Sequence, residues 1–363
     1  MSKLMRQVAL PLTVALLLAA CGGDNAPSRD APNYEVVDRF EVGANIYVRA
    51  LAYESALNTL WVGTSMGVME IDLTTQQLEN TFTREHGLAN EYVFAIGIDS
   101  LGYKWFGTNA GGASRYKDGE WDVFFPMHGL ADYWIYAFAE QRDGDYWIGT
   151  WDGANRVDLE TMEFTKYKEE LINEWVYGLD VDSANRVWFG TEGGVSMYDG
   201  ERWQEWNHDD GIGAPNEDAL PVSQNTGLGT RERHDLSVLV GGQESYNPNY
   251  VFATLADTND VIWVGTWGGG VSRYEDGEWR NLSMKDGLAG NIVYSIAQDA
   301  SGAYWFGTNR GVSRYDGSGF TNFDTESGLP GRDVYAITVT DEDDVWVGTR
   351  NGVARLAPAV TSE

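Results

Sequence analysis

Apolar and polar positions recur along this chain with a period of about 42 residues. The string Trp-apolar-Gly-Thr occurs seven times, beginning at Trp61, Trp105, Trp147, Trp188, Trp263, Trp305 and Trp346. The steps between successive Trp are 44, 42, 41, 75, 42 and 41 residues. The long step carries a surplus of 33 residues, which reads as an insertion at about residues 213–248. Each period divides into four strands. Strand A is typified by Ile292-Val293-Tyr294-Ser295-Ile296, with an apolar second position and a small fourth position in every repeat. Strand B carries the Trp and an apolar neighbour. Successive side chains of a strand point to opposite faces, so both faces of strand B are predicted to be buried. The Gly two residues after each Trp leaves room for a bulky partner. Strand C resembles Gly-Val-Ser-Arg-Tyr, and strand D places two aromatic or apolar residues three apart, as in Trp203 and Trp206. Asp/Gly turns separate A from B, and Gly-Leu turns separate D from the next A.

Seven four-stranded units predict an all-β fold, a seven-bladed β-propeller of antiparallel blades. The last repeat ends after strand C. Residues 34–43, ahead of the first repeat, carry Val37 and Phe40 in the spacing of a strand D. The N-terminal strand is therefore expected to complete the last blade, since an unpaired edge would otherwise be exposed.

The chain has 363 residues and a net charge of −30, from 55 acidic and 25 basic side chains. That balance argues against nucleic acid, whose phosphates need a basic face. One Cys excludes a disulfide scaffold and a Cys-built metal site. Lys3 and Arg6 precede an apolar run over residues 8–18, too short to span a bilayer and suited to a secretory signal. Leu18-Ala19-Ala20-Cys21 resembles a bacterial lipobox. The resemblance implies a signal peptide over 1–20 and lipidation of Cys21. With Gly22 following, it implies retention at the outer membrane. Residues 21–33 read as a tether and 34–358 as the propeller.

The unit Trp-x-Gly-Thr-x-x-Gly-Val-x-Arg-Tyr, clearest from Trp263 to Tyr274 and from Trp305 to Tyr315, resembles the two-component regulator propeller repeat. Blade 1 is looser, with Met69 and Glu70 where Ser and Arg are usual. The resemblance implies an extracytoplasmic sensor-type module that binds a ligand, often carbohydrate. Only five residues follow Pro358, so recognition is expected of this chain and kinase signalling is not.

Strand parity puts the B–C and D–A loops at one end of the propeller, and the insertion with them. There Trp151 and Trp267 flank Glu192, while Asn309, Arg310 and Arg350 supply a basic side. A second set, Tyr47, Tyr92, Trp134, Trp175 and Tyr250, opens strand A in five blades. Aromatic faces stack on sugar rings and polar groups fix orientation. Packing between blades is the plainer use of the same rings. Residues 236–240 of the insertion are apolar enough to order as a strand or pack as a lid. Glu192 and Asp152 are the carboxylates a glycosidase would draw on. Arg310 or Arg350 with a His or Tyr base would suit a polysaccharide lyase. A third reading is a protein–protein interaction module of the cell envelope. His86, His128, His208 and His234 all fall near this face, yet none sits in a nucleophile–base motif. No cofactor or metal is expected. The Asp-x-x-Gly turns lack the oxygen spacing of a calcium loop and read as Asx turns. Arg115, Arg156, Arg273, Arg314 and Arg355 recur on strand C and are expected to pair with carboxylates.

Overall fold

All seven Trp of strand B are at most 1% exposed, and the apolar residue after each is fully buried. Both faces of strand B are therefore covered, which a single sheet cannot achieve and stacked sheets can. The structure, a computed structural model, describes residues 33–222 and 244–359. Cys21, the signal peptide, residues 236–240 and His234 lie outside the described residues. The described strands form seven antiparallel sheets of four. The innermost strand of each sheet packs against that of the next, and the seventh against the first, closing a ring around a channel. Among the described residues no helix is long and apolar enough to cross a membrane.

The last sheet takes its outer strand from the other end of the chain. Tyr34–Glu41 runs antiparallel to Gly352–Pro358, with Tyr34 opposite Pro358 and Glu41 opposite Gly352. The expected inward pair differs by one position. The register shifts between Val36 and Asp38, and the bulge turns Val37 outward at 43% exposure. Tyr34, Val36 and Phe40 make the inward contacts.

The repeat residues have direct physical roles. Six of the seven indole N–H groups donate to a side-chain oxygen of the A–B turn at 2.6–3.1 Å, as from Trp105 Nε1 to Asp99 Oδ2. The other oxygen of Asp99 accepts from the backbone N–H of Leu101 and Tyr103, which is Asx-turn chemistry. Each Thr after the Gly turns its hydroxyl onto a carbonyl three or four residues on, at 2.7–3.0 Å, and ties down the B–C loop. The Gly itself is required by the neighbouring blade: a Cβ on Gly348 would stand 2.5 Å from Cγ1 of Val48. All five strand-C arginines pair with carboxylates, from Arg115 with Asp122 at 2.6 Å to Arg273 with Glu275 at 3.8 Å.

Candidate functional site at the channel mouth

In every blade the pairing of strand A with strand B slips by one residue at the same place. In blade 1 Val48 faces Thr64 and Ala50 faces Gly63, so Arg49 is left without a partner in the ladder. The same slip frees Phe94, Tyr136, Tyr177, Phe252, Tyr294 and Tyr335 in blades 2 to 7. A bulge re-aims a side chain, and all seven of these line the channel. Six aromatic rings and one guanidinium thus form a closed circuit. Ring centroids are 5.4 Å apart from Phe94 to Tyr136, 4.9 Å from Tyr136 to Tyr177, and 5.6 Å from Tyr177 to Phe252. They are 5.9 Å apart from Phe252 to Tyr294 and 5.1 Å from Tyr294 to Tyr335. Arg49 closes the gap, 4.6 Å from the Tyr335 ring and 5.7 Å from that of Phe94. Below them come the small fourth positions of strand A and a further set such as Leu51, Ile96 and Phe138, around a cavity of about 270 Å³.

The aromatic residues predicted from the sequence support this circuit from outside. Tyr250 stacks on Phe252 at 4.1 Å, and Trp267 packs on Phe252 at 5.4 Å. Trp175 stacks on Trp151 at 4.5 Å, and Trp151 reaches Tyr136 and Tyr177 at 6.3 and 6.4 Å. Trp134 lies 6.2 Å from Phe94. Trp134, Tyr250 and Trp267 are only 5%, 3% and 2% exposed, whereas Trp151 and Trp175 are half-buried. Trp267 is therefore a wall of the site and offers no open platform. Its Nε1 donates to Ser245 Oγ at 2.9 Å, where the chain returns from the insertion. Glu192 is buried beside the circuit and accepts from the Tyr177 hydroxyl at 3.4 Å. Burial first, then the neighbouring hydroxyls and Glu192, pushes the Tyr177 hydroxyl far above the usual phenol range; burial does the same for Tyr250. Both stay protonated at any physiological pH.

The basic side is differently made than expected. Glu244, at the end of the insertion, accepts from Arg310 Nε and Nη2 at 2.9 and 2.7 Å and from Asn309 Nδ2 at 3.1 Å. Arg350 donates to Asn45 Oδ1 at 2.8 Å and covers the Tyr47 ring at 5.2 Å. These groups fasten the insertion and the ring closure. The cation at the channel is Arg49, which repeat reasoning missed. Strict alternation sends the third residue of strand A the same way as the first. The signal was an aromatic residue at that third position in six repeats of seven.

The other candidate groups that are described have partners within the fold. His86 Nδ1 and His128 Nδ1 each accept a backbone N–H within their own turns at 3.1 Å, and His208 contacts Ile212 O and Tyr246. Asp152 is held by Lys166 and Lys168 at 2.5 Å each. Among the described residues no His, Cys, Asp or Glu group could hold a metal ion.

Comparison with known proteins agrees with this architecture. Residues 129–152, 287–310 and 328–351 match the two-component regulator propeller family model, so the chain carries repeats of that kind. No curated protein matches significantly. The structure is similar to the extracellular domain assigned to a hybrid two-component system of B. thetaiotaomicron, at 21% identity and a TM-score of 0.71, covering 91% of this chain and 41% of that one. A second such domain from B. thetaiotaomicron gives 19% and 0.66, covering 91% and 40%. This chain therefore spans about two fifths of those extracellular domains. A catalytically inactive virginiamycin B lyase from Staphylococcus aureus, solved with quinupristin, gives 14% and 0.66, covering 90% of this chain and 99% of that one. At these identities the likeness is one of fold.

Proposed function

We propose that this protein is an extracytoplasmic recognition propeller, held at the outer membrane by lipid on Cys21, that binds a carbohydrate fragment at the channel mouth. The observation that carries the reading is the sevenfold bulge, which aims six aromatic side chains and one arginine at a single opening. Nothing in the packing of a propeller requires a ring of aromatics at its axis. A framework residue there need only be small or aliphatic, as the residues at the two positions below it are, Phe138 and Thr254 excepted. Sugar rings present apolar faces that stack on such aromatics, and buried Glu192 with the Tyr177 hydroxyl supplies orientation. The extracellular domains that this fold resembles belong to proteins named as two-component systems, which supports an extracytoplasmic sensing role.

The test is a glycan panel screened by thermal shift and calorimetry against the soluble chain from Asn25 onward. Tyr136→Ala and Tyr294→Ala are expected to weaken the best ligand at least tenfold while the fold persists. Absence of any ligand, or unchanged affinity in both variants, removes the reading. Unsaturated or hydrolysed product in the same mixtures would replace binding by turnover.

A further inference from the structure

Arg49 is chemically out of place. In a chain of net charge −30, each strand-C arginine has found a carboxylate. Arg310 has Glu244, Arg186 has Asp182, and buried Lys104 has Glu54. Arg49 has no ion pair and no hydrogen bond within the described residues. Its contacts are two ring faces, Tyr335 at 4.6 Å and Phe94 at 5.7 Å. Aromatic faces hold a guanidinium in place through its charge and its flat surface, and they accept none of its N–H groups in line. The five donors are left for something else, and the group is half-buried at the mouth of the cavity. A cation kept away from plentiful carboxylates and braced by rings on two sides is poised for an anion from outside.

We infer that Arg49 is the anion subsite of the channel mouth and that the ligand is an acidic sugar, a uronate whose carboxylate takes the guanidinium fork while its ring face lies on the aromatic circuit. This rests on the channel mouth being the ligand site. Three features select a carboxylate. A planar two-oxygen group matches the guanidinium fork with two parallel hydrogen bonds. One cation inside a strongly acidic protein suits a monoanion, because a dianion such as phosphate meets more repulsion than a single guanidinium offsets. The rest of the circuit is uncharged, so the remainder of the ligand must stack.

The test is a matched pair of probes, methyl galacturonoside and its methyl ester, which differ by a single carboxylate charge and hardly in shape. Each is titrated by calorimetry into the soluble chain, Arg49→Met and Arg49→Lys at 50 and 300 mM salt. The parent is expected to prefer the acid at least tenfold, with the preference shrinking at high salt. Arg49→Met should bind both probes within twofold of each other. Arg49→Lys should recover part of the preference, since it keeps the charge and loses the fork. Equal binding of acid and ester by the parent overturns the inference, as does a preference that survives in Arg49→Met. Failure of both probes, while neutral sugars of the panel bind, also overturns it and leaves the recognition reading intact. Failure of every sugar removes both. Thermal melts of the two variants show whether the propeller is retained.

Discussion

Tyr34 meets Trp305 edge-on, ring centroids 4.8 Å apart at 74°. The first described strand thus anchors on the strand-B Trp of blade 6, beyond the blade it completes. Arg314 lies 5.2 Å over the Tyr34 ring, and the Tyr34 hydroxyl reaches Asp343 O at 3.3 Å. Closure is therefore a packing contact as well as a hydrogen-bonded ladder. Tyr34→Ala is expected to cost about 2–4 kcal/mol in urea unfolding, from lost burial and the aromatic pair. Deleting residues 34–41 should cost more, because it strips a ladder and opens an edge. A variant that unfolds at the parent midpoint would show the strand to be dispensable.

Trp346 lacks what its six counterparts have. Its Nε1 is buried without a hydrogen-bond partner. Six residues earlier stands Thr340, where blade 6 has Asp299. The turn backbone is the same: Thr340 N donates to Asp344 O as Asp299 N does to Ala303 O. Thr340→Asp should therefore stabilise the protein by about 1 kcal/mol at neutral pH, satisfying an orphan donor. The measurement needs moderate salt to screen the four acidic residues that follow. The gain should fade in acid as the new carboxyl protonates. A loss at all pH values would mean that the turn cannot hold the longer side chain.

Trp267 and Trp151 separate packing from accessibility. Trp267→Ala removes a 2% exposed side chain wedged against Tyr250 and Phe252, so a loss of about 3–5 kcal/mol is expected. Trp151→Ala should cost less and act mainly on ligand affinity, since this half-buried ring stacks on Trp175 near the opening. Equal losses of stability would assign both to the framework.

Asp180 gives a pH dependence with a definite sign. Burial pushes its carboxyl up to about 6, against backbone N–H bonds from Ala256 at 2.7 Å and Val181 at 2.8 Å that favour the ionised form. The native state thus takes up this proton near pH 6, and the unfolded chain only near its ordinary value of 3.8. Between those values folding binds the proton, so this group favours the native state increasingly as pH falls from 7 to 4. The stability of the parent relative to Asp180→Asn should rise over that interval in denaturant titrations at pH 7, 6 and 5. A flat difference would refute the shift.

The frame was legible because each of its demands recurs seven times. The Trp that fills the space between sheets, the Gly that admits a neighbouring Val, and the Thr that ties a loop all answer the same local geometry in every blade. The site was less legible for two reasons. Arg310 and Arg350 were placed on the right face, but their partners Glu244 and Asn45 lie 66 and 305 residues away, and no spacing rule reports such pairings. Arg49 and its six aromatic counterparts were hidden by a slip of the ladder that no Gly or Pro announces.

That slip has an evolutionary reading. A residue outside the alternation of its strand makes no pair across the ladder, and its side chain packs instead on the ring around the channel, where Phe94 and Tyr177 are buried and the other five are half-buried. The half-buried positions are therefore the ones most open to exchange one at a time, as letters on a dial, while buried Phe94 and Tyr177 are tied to the packing around them. A lineage can retune what this opening admits by substituting single codons, and a designer can do the same on an unchanged scaffold.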